Sequence, residues 1–507
     1  MKLRTLLITY CIVFFISSLF AQNVNIPDAN FKTYLVANTT INTNGDTEIQ
    51  VAEATAFTGT INCANRNIAD LTGVEAFTNA ISLLCSGNQL TTLDITQNTG
   101  LQFLNCSSNR LTALNVSQNT NLFSLVCSNN QLTTLDVTQN TNLGTLWCHR
   151  NQLTALNVTQ NPSLGGFNCS YNQITVLDVS QNSGLIGFNC SYNQIAVLDM
   201  TQKPNLLNFN CSYNQIAALD VSQSSNLAEF YCNDNQLTAL DVTQNTALII
   251  LWCFDNQLTD LDVTQNINLT RLDCYVNQID SLDVTQNINL ERLEVRANQL
   301  TKLDITQNTN LERLDCAVNQ LTTLDVSQNL ALEQLYCYSN QLSNLNASLN
   351  ASLTAIRCEN NQLTRLNLKN GNNVNVNDFV ARNNPNLLCI EVDDSTYSTN
   401  NWGARDSIVT FSTNCSAFLN TNLFANNTLE QIVVYPNPAS NRLIIDLGQV
   451  CTSIQVQVLG LNGQVLTTKQ LENNNSVILD IKPLPAGIYL LVVQTEGGRA
   501  VHKIVKE

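Results

Sequence analysis

A frame of 21 residues recurs along most of this chain, and it limits the possible folds more than any other feature. Leu122, Leu125, Cys127, Asn130 and Leu132 define it as LxxLxCxxNxL. Its Cys position falls at 85, 106, 127 and onward to 358, giving fourteen registers after an irregular first copy around Cys63. One unit of this size cannot bury its own apolar face, so the copies must stack and share a core. At 507 residues the chain also exceeds what a single compact core organises.

Side chains alternate along an extended strand, so Leu125 and Cys127 share one face. Asn130 then lies where the chain leaves the strand, and all fourteen registers keep this Asn, from Asn88 to Asn361. A buried carboxamide there can satisfy backbone groups of its own turn and of the next coil. A second apolar triplet follows, Leu132, Leu135 and Val137, before Thr138-Gln-Asn140. Its Thr and β-branched residues predict an extended or turn-like return limb rather than a helix. The pattern resembles the leucine-rich repeat over residues 60–368. Together with the spacing it implies a mainly β fold, a solenoid of parallel strands with extended return limbs and weak curvature.

Strand residues that do not face the core face outward on the sheet expected to be concave. Directly before the column position come Trp147, Tyr231, Trp252 and Tyr336, and directly after it Phe254 and Tyr275. Tyr171, Tyr192 and Tyr213 stand two residues after the column Cys in three successive repeats. Aromatics gathered on one face mark a binding surface, although stacked Tyr rings can also simply support one another along the ladder. Further on, Arg271, Arg292 and Arg313 align beside Asp273, Glu294 and Asp315, rows expected to neutralise each other. On the second limb Asp recurs at ten registers, from Asp94 to Asp325. Like charges about 5 Å apart are expected to raise some carboxylate pKa values unless offset. Hydrogen bonds from the Thr-Gln-Asn turn amides that follow are the preferred offset, and Ca²⁺ held between neighbours is the alternative.

Eighteen cysteines in an exported chain suggest disulfides. Thirteen occupy the repeat column, however, and the remaining register holds Val295. A slot that accepts Val is a small apolar slot, so these are read as buried free thiols. Cys389 and Cys415 lie outside the repeat, where the solenoid is expected to close, and are the expected disulfide. Cys451 is left unpaired.

The two ends differ from the array. Lys2 and Arg4, the apolar run Leu6 to Phe20 and Ala21 read as a signal peptide, residues 1–21. Residues 22–59 are expected to cap the solenoid, with a helix after Pro27-Asp28 carrying Phe31, Tyr34 and Leu35. Within that cap Asn42, Asn44, Asp46, Glu48 and Glu53 resemble an EF-hand or dockerin-type loop, which implies Ca²⁺. Asn42 and Thr47 depart from that pattern, and a plain Asx-rich turn is the competing reading; no other cofactor is expected. Residues 369–427 are read as a C-terminal cap and linker. Tyr435-Pro-Asn-Pro-Ala-Ser440, Leu484-Pro-Ala-Gly-Ile-Tyr489 and Lys503-Ile-Val-Lys-Glu507 follow in order. Residues 428–507 thereby resemble the C-terminal sorting domain of the type IX secretion system. The resemblance implies that secretion machinery as a partner and delivery to the cell surface or medium. Short alternating strands separated by Asn462-Gly463 and Pro-Ala-Gly turns agree on a small antiparallel β-sandwich.

A formal charge of −16 with few Lys and Arg argues against nucleic acid or an anionic membrane as partner. No segment after the signal peptide is expected to span a bilayer. The only histidines, His149 and His502, sit in no triad or metal frame, so no enzyme is expected. The expectation is a monomeric secreted or cell-surface binding protein with a protein ligand on the concave face. A glycan ligand and a purely structural coat are the alternatives.

Overall fold

The computed structural model describes residues 22–415, 432–460, 464–495 and 498–507. The expected signal peptide, most of the expected linker and the Asn462-Gly463 turn lie outside the described residues. The described residues form two compact units, 22–387 with 393–409, and 388–392 with those that follow residue 409.

The first unit is the solenoid. Sixteen three-residue strands, from Thr60–Asn62 to Asp378–Val380, form one sheet in sequence order apart from two return-limb strands. Neighbouring strands are parallel and in register, as in Leu146↔Phe167 and Phe167↔Phe188. Each strand carries the residues three, two and one before the column Cys, and its middle residue points inward. Leu125, Cys127, Leu132, Leu135 and Val137 are all buried, so both limbs of each coil contribute to one continuous core. The return limbs are extended and turn-like, and Asn344–Asn346 and Arg365–Asn367 pair there as parallel strands.

Two columns of Asn hold the coils together. Asn130 Nδ2 donates to the carbonyls of Cys106 and Cys127, each at 3.0 Å, and its Oδ1 accepts from Leu111 N–H at 3.0 Å. The pattern repeats at each coil, so one side chain satisfies backbone of two coils. A second column, which the sequence reading left unassigned, is formed by the Asn of Thr-Gln-Asn. Asn140 Nδ2 donates to Val116 and Asn119 carbonyls of the preceding coil at 3.0 and 2.8 Å. Lys203 and Ser224 interrupt this column, and both are buried.

The solenoid passes the expected boundary at residue 368. Asp378–Val380 pairs with Ala355–Arg357, Ala381 takes the column position, and Asn384 continues the ladder by donating to Cys358 and Ala381 carbonyls. This coil lies 23 residues after Cys358 and lacks the column Cys, so the 21-residue frame loses it. It is closed by a helix, Ser395–Asn401, and by Trp402, whose ring stacks on Phe379 at 4.5 Å.

At the other end, helix Ala29–Ala37 covers the first coil with Phe31 and Leu35. Asp28 caps it by accepting from Asn30 and Phe31 N–H, and Tyr34 Oη accepts from Asn62 N–H of the first strand. The aspartate column takes the turn hydrogen bonds expected of it, and they outweigh the rise in pKa that stacking alone would cause. Asp136 Oδ1 accepts from the hydroxyl and N–H of Thr138 at 2.7 and 2.9 Å. Such bonds hold Asp94, Asp136, Asp178, Asp199, Asp220, Asp241, Asp262 and Asp304 below the usual carboxylate range. Repulsion from Asp199 acts on Asp178 in the opposite direction but is smaller than the hydrogen bonds from Ser180.

All thirteen column cysteines are free and buried. Burial pushes the thiol of Cys106 up to about 12 and raises its neighbours as well. Thiolate is the reactive form, so the column should be silent to a thiol reagent such as DTNB at pH 8. Titration should recover these thiols only once the chain unfolds in guanidinium; fast reaction of several in the native chain would show that the column is open to solvent.

The second unit combines a short parallel pair, Cys389–Glu391 with Thr410–Ser412, and two antiparallel sheets. A disulfide joins Cys389 to Cys415. One antiparallel sheet holds Val433–Tyr435, Arg442–Cys451 and Asn474–Asp480. The other holds Ile454–Leu459, Val465–Leu471, Gly487–Thr495 and Gly498–Lys506. Leu443, Ile445 and Leu447 meet Val456, Leu491, Val493 and Ile504 in one core, which makes a sandwich.

Candidate functional site: a glycine-floored groove on the long sheet

The outward strand positions differ sharply from one repeat to the next. Three residues before the column Cys, the strands carry Thr145, Gly166, Gly187, Asn208, Glu229, Ile250 and Arg271. The glycines at 166 and 187 open a groove of about 360 Å³, within the range of small-molecule sites. Trp147 stands at one end and Tyr231 at the other, with Asn168, Asn189 and Asn210 along its length.

The fold does not require either glycine. Neither has a positive φ. A Cβ built at Gly187 would meet nothing within 4 Å, and one at Gly166 would touch only Thr145 and Trp147 at ordinary distances. Glycine inside a strand costs about 0.5–1 kcal/mol relative to Ala. Glycine in a strand interior often accompanies a bulge, a bend or a place where a ligand or another backbone approaches closely.

Beneath the groove the core changes as well. Leu gives way to Phe167, Phe188, Phe209 and Phe230, whose rings stack at 5.3, 5.5 and 5.5 Å. Such stacking contributes about 0.5–1.5 kcal/mol beyond burial, so the groove has a rigid base. Its polar residues are arranged asymmetrically. Asn168, Asn189 and Asn210 each spend Oδ1 on the N–H and hydroxyl of Ser170, Ser191 and Ser212, at 3.0–3.1 and 2.7 Å. That fixes each carboxamide and leaves its NH₂ facing the groove side of the sheet. Trp147 is 46% exposed, which presents much of its indole to solvent. Tyr231 Oη donates to Glu229, and burial with that carboxylate pushes the phenol up to about 12, so it stays neutral.

The other aromatics are placed differently. Tyr171, Tyr192 and Tyr213 form a stack along the strand exits, with ring separations of 4.2 and 4.1 Å and Arg150 over the first ring at 4.5 Å. Their backbone is left-handed, φ near +54°, a conformation that L side chains adopt at a cost. The same conformation recurs at Asn129, Asp234 and Val276, so the repeat imposes it whatever the side chain, and the three stacked rings remain exposed. Trp252 meets Tyr231 edge-on at 4.9 Å, and Phe254 stacks on Tyr275 at 4.3 Å. Tyr336 lies under Arg313 at 5.0 Å. The structure thus brings Trp147 and Tyr231 to one groove and distributes the rest along its rim and beyond. The sequence reading missed the glycines. Their signal was visible, because Gly in a strand pattern is already anomalous.

Past Trp252 the face turns ionic. Arg292 pairs with Glu294 at 2.7 Å and Asp273 at 3.4 Å, and Arg313 pairs with Glu294 at 2.7 Å. Burial, then Glu294, raises Asp273 to about 6 despite the arginines. These rows neutralise each other, as the alternating signs suggested.

In the N-terminal loop, Asn42 Oδ1 accepts from Gly45 N–H, and Asp46 accepts from Glu48 N–H, Asn44 and Gln50. Glu53 accepts from Thr43, Asn44 and Gln50 backbone and caps the helix Val51–Ala56, while Glu48 pairs with Lys32 at 2.6 Å. Among the described residues no group of three or more His, Cys, Asp or Glu is placed to hold a metal ion. No helix among them is long and apolar enough to cross a membrane.

Comparison with known proteins fits this architecture. Residues 433–507 match the family model of the secretion system C-terminal sorting domain. Internalin J of Listeria monocytogenes is 39% identical over 74 residues, a stretch that is 14% of this chain and only 8% of that protein. The functional domain of InlJ from Listeria monocytogenes, described as including a cysteine ladder, superposes with a TM-score of 0.67 at 27% identity. That match covers 96% of this chain and 100% of that one. A leucine-rich-repeat protein of Leptospira interrogans is similar at 25% identity and a TM-score of 0.53, covering 61% of this chain and 92% of the other. The chain is a leucine-rich-repeat solenoid followed by a sorting domain that directs type IX export to the cell surface or medium.

Proposed function

We propose that this exported leucine-rich-repeat solenoid is a non-catalytic binding protein, of adhesin type, that holds its ligand against the outer face of the long sheet. One observation carries the reading. The strands between Trp147 and Tyr231 keep glycines that the fold does not need, and so form a groove with an exposed indole at one end. Similarity to the InlJ functional domain, with its cysteine ladder, supports the repeat architecture on which this reading rests.

The non-catalytic reading is further supported by the titratable groups. The column thiols are buried and raised. The ligand is held without a cofactor on this account, because the loop at Asn42–Glu53 spends its oxygens on its own turn and helix cap.

The test is retention of ligands on the immobilised full chain. A panel of extracellular-matrix proteins and soluble polysaccharides is passed over wild type and over W147A/Y231A. At least one should be held by wild type and lose tenfold or more in affinity with the double variant. Equal retention by the two would remove the sheet face as the recognition surface.

A further inference from the structure

We infer that the groove between Trp147 and Tyr231 takes a neutral, linear polysaccharide chain running along the solenoid axis. The inference rests on the sheet-face reading above and names the ligand class for it. Four observations lead there.

The groove lining contains no residue charged at neutral pH. This contrasts with the paired Arg, Asp and Glu of the strands beyond it. A charged polymer would lose hydration there without gaining a counter-charge, so a neutral ligand is favoured. The second observation is a surplus of donors. Asn168, Asn189 and Asn210 have committed their oxygens to serines, and their NH₂ groups remain as a row. A complementary ligand must offer a row of acceptor oxygens.

Third, these three residues sit on adjacent in-register strands, so the donors repeat at about 4.8 Å. An extended peptide along the axis offers same-edge carbonyls only every two residues, at about 6.8 Å, and drifts out of step by the second contact. A pyranose ring is close to the strand spacing in length and carries hydroxyl and ring oxygens on every unit. Fourth, the glycine floor admits close approach while Trp147 presents an open indole face at one end. An apolar ring beside fixed carboxamides suits a sugar, which has C–H faces and hydroxyl edges.

The experiment uses the full exported chain and an array of linear hexasaccharides of glucose, mannose, xylose and N-acetylglucosamine. Uronic-acid and sulfated oligosaccharides serve as charged comparators. At least one neutral series should bind and change tryptophan fluorescence. Gly187→Val fills the groove where a Cβ meets no neighbour, so it should keep the circular dichroism and melting midpoint of wild type. It should nevertheless lose tenfold or more in affinity. Trp147→Ala should lose a similar factor and provides a second probe if the valine variant folds poorly. Binding of charged series alone, no saccharide binding, or neutral binding indifferent to both substitutions would overturn the inference. If a protein ligand is retained through Trp147 and Tyr231 while every saccharide fails, the sheet face stands and the glycan assignment falls.

Discussion

Removal of residues 433–507 is expected to leave a folded solenoid that never reaches the outside of the cell. The deleted part has its own core, in which Leu443, Ile445, Val456, Leu491 and Val493 pack with one another. The solenoid's coils likewise bury their apolar residues within and between coils. Repeat units draw stability from their nearest neighbours, so the loss of a separately cored sandwich should scarcely alter the melting midpoint of the repeats. Export should behave differently, because the deleted residues are those that match the sorting-domain family. Fractionation and protease shaving of intact cells should find the truncated chain wholly in the periplasm. Surface exposure or release comparable with the full chain would contradict the role assigned to the sandwich.

The second large effect is on stability, at the buried asparagine ladder. Asn130→Ala removes two donors and an acceptor and leaves the carbonyls of Cys106 and Cys127 and the N–H of Leu111 without that partner. Each orphaned buried group costs about 1–3 kcal/mol, so the loss should reach several kcal/mol. Asn121 is the internal comparison. It also donates to the preceding coil, to Thr99 carbonyl, but it is exposed, and surface substitutions usually stay within about 0.5 kcal/mol. Urea unfolding of the two variants should separate them clearly. Similar midpoints would show that solvent or neighbouring side chains replace the ladder bonds.

Why was that ladder legible in the sequence when the second was not? Asn130 follows an obvious strand and recurs without exception, so the turn chemistry of the residue identifies its task. Asn140 belongs to Thr-Gln-Asn, a polar triplet that reads as an ordinary surface turn. Only the packed structure shows that this turn folds inward and donates to the coil before it. The same limit explains the last coil. Its strand Asp378–Val380 has the right alternation, but a 23-residue spacing and Ala381 in the thiol column hide it from a periodic search.

The aspartate column was legible further, because the turn that follows each Asp offers donors in the sequence itself. Stacked aspartates suggest repulsion when only their spacing is known. The hydroxyl and N–H of Thr243 outweigh the repulsion from Asp262 at Asp241, and the bonds from Ser180 outweigh that from Asp199 at Asp178. Local hydrogen bonds act at contact distance, whereas exposed like charges are screened by water. The aromatic positions were legible as outward, since strand alternation fixes them. Which of them meet was not, because the groove depends on the absence of side chains at Gly166 and Gly187. Tyr171, Tyr192 and Tyr213 instead close on one another, with Arg150 over the outer ring of the stack.

The groove itself is tested most directly by fluorine NMR of the full chain labelled with 5-fluorotryptophan. The chain has three tryptophans, Trp147, Trp252 and Trp402, and single substitutions assign their lines. Trp147 is exposed at the groove end, whereas Trp402 is buried in the C-terminal cap. Saturation with the retained ligand should shift the Trp147 line and leave the Trp402 line in place. A Trp147 line that does not move at saturation would contradict recognition in this groove.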